Sequence, residues 1–209
     1  MRLILIRHGG SDHTLRNVIA GQTSCRGLTE RGFQQAELLA HRFGVTSEVS
    51  DYQALLCSPV LRARQTAEVL NRALPIGAIE EDCDLCELHL GAADGLSWEV
   101  YRTTYGAFNL LTTPNRPFAP GAESWVEFAQ RVRAILERLA RRFAGQTVVA
   151  VTHAGFIVAS ILALFDIPRP GTSARLDPGY TSLTEWRVAQ ATWQLVRFND
   201  IAHLTGGDV

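Results

Sequence analysis

The chain has 209 residues, 46% of them hydrophobic, enough to bury a sizeable core in one domain over residues 1–209. Its formal net charge is −1 and all 20 basic residues are arginine, so there is no global basic field for nucleic acid or an anionic membrane surface. The lack of lysine excludes a Gly-Lys-Ser/Thr phosphate loop, a Schiff-base lysine and a lysine general base. Any local anion site must then use arginine, whose planar fork donates paired hydrogen bonds.

Arg2–Ile6 is a nearly continuous apolar run, as for a strand covered on both faces, and it stops at Arg7-His8-Gly9. With no charged leader or cleavage site before that strand, the expectation is a cytoplasmic protein without a signal peptide. Its four cysteines, Cys25, Cys57, Cys83 and Cys86, are then expected to be reduced thiols. Thr29 is placed to cap a helix whose inward face is Ala36, Leu39, Ala40 and Phe43. Ala54–Cys57 reads as a second strand, and Ser58-Pro59 as cap and first turn of a helix carrying Val60, Ala63, Ala67 and Leu70. A weaker third strand is expected near Ile76–Glu80.

Cys83-Asp84-Leu85-Cys86 has redox or zinc spacing, but no second ligand pair adjoins it, so the pair is read as incidental and no metal site is expected. Residues 88–121, rich in Gly, Pro, Thr and aromatics, read as a cap-like excursion. Trp98, Tyr101, Tyr105 and Phe108 are expected to pack it rather than to stack on a substrate. Glu123-Ser124 opens a long helix marked by Phe128, Val132, Ile135, Leu139 and Phe143. Its arginines read as a solvated face paired through Glu127–Arg131 and Glu137–Arg141, not as a nucleic-acid patch.

Val148–Thr152 is another two-sided strand, followed by a helix after His153-Ala154-Gly155. The apolar stretch Phe156 to Phe165 is too short to span a membrane. After a long loop from Asp166 to Tyr180, Ser182–Val188 and Thr192–Phe198, split by Ala189-Gln190-Ala191, read as a hairpin. The alternation predicts a three-layer α/β/α sandwich around a mostly parallel mixed sheet of about six strands.

Arg7-His8 ends the first strand, Arg62 opens the helix after the second, Glu87 follows the third, and His153 ends the fourth. Ligand crevices of open α/β sheets lie at the carboxyl ends of the strands, so these residues are expected to face one another. Taken singly, Arg62 reads as a surface arginine and Glu87 as a loop carboxylate; His89 either reaches the crevice or is structural, and His13, His41 and His203 read as exposed. As a set they are what phosphoryl transfer needs: an imidazole nucleophile, arginine donors, a second imidazole and a carboxyl group to protonate the leaving oxygen.

The ordered motifs Arg7-His8-Gly9, Leu28-Thr29-Glu30-Arg31-Gly32, Gln35-Ala36, Ser58 to Ala67, Leu85-Cys86-Glu87, Pro120 to Ser124 and Val151 to Gly155 resemble the histidine phosphatase superfamily, in its phosphoglycerate-mutase-like branch. That resemblance implies a metal-independent phosphomonoesterase with no cofactor, acting on a small-molecule phosphate ester and using neither nucleic acid nor membrane. It implies that His8 is the nucleophile, that Arg7, Arg62 and His153 hold the phosphate oxygens, and that Glu87 is the proton donor. The chain departs from the family pattern at Gly10, where Glu is frequent, and at Thr14, where a phosphate-binding Asn is frequent; Thr14 or Asn17 is expected to substitute. Ala154 replaces a more usual glycine beside the second histidine and is expected to border the phosphate. Two alternatives stay open: a cofactor-dependent phosphoglycerate mutase, and a non-catalytic phosphate-binding regulatory module. Between residues 88 and 121 only Arg102 and Arg116 are basic, which favours hydrolysis over a mutase that must grip a bisphosphate.

Overall fold

Alternate residues of the first strand serve opposite faces of the sheet, and this orders the molecule. The computed structural model describes residues 1–49, 51–74, 77–110, 112–167 and 174–204, with the backbone alone at residues 14 and 15. Its strands are β1 (Arg2–Arg7), β2 (Tyr52–Cys57), β3 (Glu80–Glu81), β4 (Thr147–Thr152), β5 (Leu183–Ala189) and β6 (Thr192–Asp200). The helices are α1 (Asp12–Arg16), α2 (Glu30–Thr46), α3 (Leu61–Ala73), α4 (Trp98–Tyr105), α5 (Trp125–Arg142) and α6 (Ala154–Leu164). Leu3 and Leu5 of β1, with Val148 and Ala150 of β4, pack against Phe128, Val132, Ile135, Phe156 and Ile157 of α5 and α6. Ile4, Ile6, Val149 and Val151 face Leu39, Phe43, Ala63, Ala67 and Leu70 of α2 and α3. The three-layer α/β/α sandwich expected from the sequence is the one observed.

The sheet order is β3-β2-β4-β1-β5-β6. β3, β2, β4 and β1 run parallel, β5 runs antiparallel to β1 and β6 antiparallel to β5, so the sheet is mixed. Register then places the site: Arg7 of β1 lies opposite Thr152 of β4, so the next residues, His8 and His153, leave the sheet side by side. The β5–β6 hairpin turns through Gln190 and Ala191, both at positive φ, which is the geometry a two-residue turn needs to match strand twist.

The structure corrects four local expectations. The third strand is only Glu80–Glu81, pairing with the last two residues of β2; of the predicted stretch, Ile76 lies outside the described residues. Helix α3 begins at Leu61 without a side-chain cap, because its N-cap position is the apolar Val60; Ser58 Oγ lies two residues ahead of Val60, accepting from the Val60 amide at 3.3 Å and from His153. A helix, α4, capped by Ser97, forms inside the 88–121 excursion. The arginines of α5 are not paired along their own helix. Glu127 folds back as a capping box on Ser124, which frees Arg131 to bind Glu123 at 2.7 Å and leaves Arg138 and Arg142 to reach Asp82, Asp84 and Glu80.

Candidate active site

The turn after β1 is made by close backbone packing. A Cβ on Gly9 would lie 2.4 Å from the Gly32 carbonyl oxygen, so only glycine lets the turn rest on the start of α2. The turn's amides are satisfied from neighbouring helices: Gly9 N–H donates to Thr66 Oγ1 at 3.1 Å and Gly10 N–H to Gln35 Oε1 at 2.8 Å. This accounts for the Thr-Glu-Arg-Gly and Gln-Ala motifs, which hold the turn in place without reaching the cleft.

His8 is 4% exposed. Its Nδ1 lies 2.7 Å from the Gly9 carbonyl, which can only accept, so Nδ1 carries the proton. Nε2 is therefore the lone-pair nitrogen, and Arg62 Nε donates to it at 3.0 Å. Burial, reinforced by the charge of Arg62, holds the His8 ring far below the usual histidine range. The ring is neutral at neutral pH, as a nucleophile must be.

His153 is fully buried as the N-cap of α6. Arg62 Nη2 donates to its Nδ1 at 3.2 Å, so Nε2 bears the proton and donates to Ser58 Oγ at 2.9 Å. The two imidazole rings stand 5.2 Å apart. Burial, with Arg62 and Arg7 nearby, also lowers His153 far below the usual range. Arg7 donates to the Pro178 carbonyl and lies 3.9 Å over the ring of Tyr180. Burial lowers its guanidinium from the usual arginine value. Among the described residues, Arg7 Nε and Arg62 Nη1 are buried donors with no hydrogen-bond partner. Two unanswered guanidinium N–H groups beside an unprotonated imidazole nitrogen, itself held by Arg62 Nε, make a cradle that fits a dianion.

Glu87 approaches from the loop after β3. Its Oε2 accepts from the Gly155 amide at 2.9 Å and Oε1 from the Leu88 amide at 3.2 Å. A Cβ on Gly155 would stand 2.2 Å from Glu87 Oε1, so the glycine at the start of α6 is what admits the carboxylate. These residues open on a cleft of about 450 Å³ whose far wall is apolar, with Leu88, Leu90, Trp98, Phe118 and Trp125.

Arg7, His8, Arg62, Glu87 and Ala154 all line this cleft, and His153 backs it through Arg62. Asn17 borders it with an exposed residue at positive φ; the Thr14 side chain lies outside the described residues. Of the aromatics, Tyr101 packs the excursion, stacking on Phe118 at 4.4 Å, whereas Trp98 lines the cleft. Arg102 and Arg116 do not line it, and Arg116 is tied to the Tyr105 carbonyl. Sequence reasoning missed His13, which is not an exposed residue. It lines the cleft, hydrogen-bonds Ser11 Oγ at 2.8 Å and is pushed down to about 4 by burial and by Arg62 and Arg7. His203 is also partly buried, against Thr181, and is lowered to about 4 by burial. Tyr180 was missed because it ends a loop with no periodicity, and its only signal is that it precedes a strand expected beside β1. The Cys83–Cys86 pair gains one further ligand type from the fold, since a ring nitrogen of His89 lies within 4.8 Å of both sulfurs.

The lowered histidines carry a pH dependence of stability. An unfolded histidine takes up its proton near ~6.5, while His8, His13, His153 and His203 resist protonation until well below that. Their contribution is complete above the unfolded value and is lost as pH falls toward the folded ones, at up to ~1.4 kcal/mol per pH unit for each fully buried ring. Thermal melts between pH 7 and pH 5 are expected to show Tm falling steadily. A flat Tm over that range would contradict the assignment of neutral buried rings.

Fold and site define a class: an α/β sandwich that presents a neutral imidazole between guanidinium groups, the arrangement that phosphoryl transfer to nitrogen requires. Residues 3–201 match the histidine phosphatase superfamily (branch 1), and the chain belongs to that family. It is 27% identical, over 97% of its own length and 83% of the relative's, to a metal-independent phosphoserine phosphatase of Arabidopsis thaliana. Among solved structures, Bacillus stearothermophilus YhfR is 25% identical with a TM-score of 0.83, covering 97% of this chain and 98% of its own. Phosphoserine phosphatase from Entamoeba histolytica, solved in complex with 3-phosphoglyceric acid, is 26% identical with a TM-score of 0.80 over 97% of this chain and 98% of its own. Among the described residues, no helix is long and apolar enough to cross a membrane.

Proposed function

We propose that the protein hydrolyses a small monophosphorylated metabolite through a phosphohistidine on His8. The observation that carries this reading is the unprotonated Nε2 of His8 set among the unpartnered donors Arg7 Nε and Arg62 Nη1. Nε2 attacks phosphorus in line with the ester oxygen. Arg7, Arg62 and His153 hold the equatorial oxygens, where the transition state spreads its charge. Arrival of the dianion draws Arg62 from the rings and favours a proton on His153, so that the second imidazole adds a positive charge when it is needed. Ala154 and Gly155 begin α6, and the positive end of that helix helps hold the anion. Asn17 and Thr14 border the phosphate, and the 88–121 segment caps the cleft over the leaving group.

Glu87 passes a proton to the leaving oxygen, then takes one from the water that attacks phospho-His8, returning the imidazole and releasing phosphate. Glu87→Gln is expected to lower kcat by ~10²-fold or more on alkyl phosphates and much less on an activated aryl phosphate, whose leaving group needs little protonation. Equal losses on both would remove Glu87 from proton transfer.

Hydrolysis is favoured over a mutase by the apolar far wall. A second phosphate would be desolvated there without paired donors, since the cationic side chains lining the cleft among the described residues are Arg7 and Arg62. The deciding experiment is a phosphate-release screen across monophosphorylated metabolites, run with chelator beside a mutase assay. Release from at least one monoester should exceed any conversion of 3-phosphoglycerate to 2-phosphoglycerate. Faster conversion than release would replace the phosphatase reading with the mutase one.

A further inference from the structure

We propose that Cys83, Cys86 and His89 form a binding site for a thiophilic divalent cation, Zn²⁺ above all, distinct from the phosphate cradle. The spacing produces the geometry. Cys83–Leu85 is a turn of 3₁₀ helix, in which side chains at i and i+3 eclipse, so Cys83 and Cys86 project together. Their sulfurs are 3.7 Å apart. Two thiolates on one tetrahedral zinc, at ~2.3 Å each, stand ~3.8 Å apart, so the pair already spans the edge of such a site. The His89 ring supplies a third ligand nitrogen, and the three ligand atoms lie within 4.8 Å of one another.

A second observation points to a ligand independently of the spacing. Among the described residues, His89 Nε2 is a buried ring nitrogen with no hydrogen-bond partner. The other nitrogen, Nδ1, faces Glu123 Oε2 at 3.8 Å. That carboxylate is fixed by two hydrogen bonds from Arg131, at 2.7 and 2.8 Å, and by the His89 amide at 2.8 Å. A carboxylate hydrogen-bonded to one imidazole nitrogen is the usual support of a metal-bound histidine, and a shift of the His89 ring by under ~1 Å brings Nδ1 into that range of Glu123. The backbone of the cradle is also held in advance, because Arg131 donates to the carbonyls of Asp84, Cys86 and Glu87.

Two sulfurs and an imidazole select zinc, cobalt or cadmium over magnesium or calcium, which take oxygen. Binding replaces two S–H bonds by two metal–sulfur bonds and releases two protons to solvent, giving a site of zero net charge whose fourth position water fills on the exposed Cys83 side. Glu87 lies between the second and third ligands, and Cys86 Sγ touches Ser58 Oγ at 3.3 Å. The three ligands line a second cavity that shares Arg62, Glu87, Leu88 and Leu90 with the cleft, so an ion here adjoins the phosphate cradle without using its donors.

The test is a titration of the reduced, metal-stripped full-length protein with Co²⁺ and then Zn²⁺. One equivalent of Co²⁺ should give thiolate-to-cobalt charge-transfer absorption with tetrahedral visible bands, and Zn²⁺ should displace it. Cys83→Ser and His89→Ala, measured separately, should each weaken Zn²⁺ binding by ~100-fold or more while their phosphate release in chelator stays at the level of the parent. Absence of the thiolate bands, or Zn²⁺ binding that survives unchanged in both variants, would overturn the assignment.

Discussion

Replacing His8 with alanine is expected to lower kcat for phosphate release by ~10⁴-fold or more, while the variant stays folded and still binds inorganic phosphate. The size of the effect follows from what is removed. Donors on arginine only stabilise charge, whereas in the proposed mechanism the His8 lone pair makes the bond that divides one slow displacement into two faster ones. The neighbouring imidazoles are engaged. His153 Nε2 is protonated and engaged with Ser58, and its Nδ1 accepts from Arg62. His13 Nδ1 is held by Ser11. Turnover and phosphate affinity measured on the same preparation check this, and near-parental turnover by the variant would remove His8 from the chemistry.

Arg62→Ala should produce the next largest loss, ~10³-fold in kcat/KM, because one side chain serves three purposes. Its Nη1 is free for phosphate, Nε orients His8 and Nη2 orients His153. A second readout separates this from simple loss of packing. The Arg62 charge helps hold His8 and His153 low, so its removal should move the acid limb of the pH–rate profile to higher pH. Lysine should not restore activity, since a single ammonium cannot address two imidazoles and a phosphate oxygen in one plane. An unshifted acid limb, or full rescue by Arg62→Lys, would contradict the role.

The parts of this site that the sequence makes legible are those fixed by strand ends. Arg7-His8 and Val151-Thr152-His153 are adjacent because parallel register carries one run beside the other, and apolar runs reveal where both strands stop. Arg62 is legible because a helix must follow β2. Glu87 depends on a loop, yet its motif places it, and Gly155 explains how the carboxylate fits. Illegible parts depend on tertiary choices. Arg131 prefers Glu123 to Glu127 only because Glu127 is used by its own helix cap. His13 and Tyr180 enter the site through a short helix and an irregular loop, where no periodicity marks an inward face. The bounds of the third strand and the helix within residues 88–121 are illegible for the same reason: the strand is an edge pair of glutamates, and the helix buries little but Tyr101.

The proposed covalent phosphoryl intermediate on His8 can be trapped by mixing the enzyme with a monophosphate substrate for milliseconds, quenching in alkali and mapping the modified peptide by mass spectrometry. Phosphohistidines survive base and are lost in acid, so the quench itself is diagnostic. One added phosphoryl group is expected, confined to the peptide containing His8, absent in His8→Ala and accumulating more in Glu87→Gln with an activated ester, where hydrolysis of the intermediate is slowed. Full turnover with no phosphoryl-enzyme at any time point, or an adduct on a different residue, would contradict it.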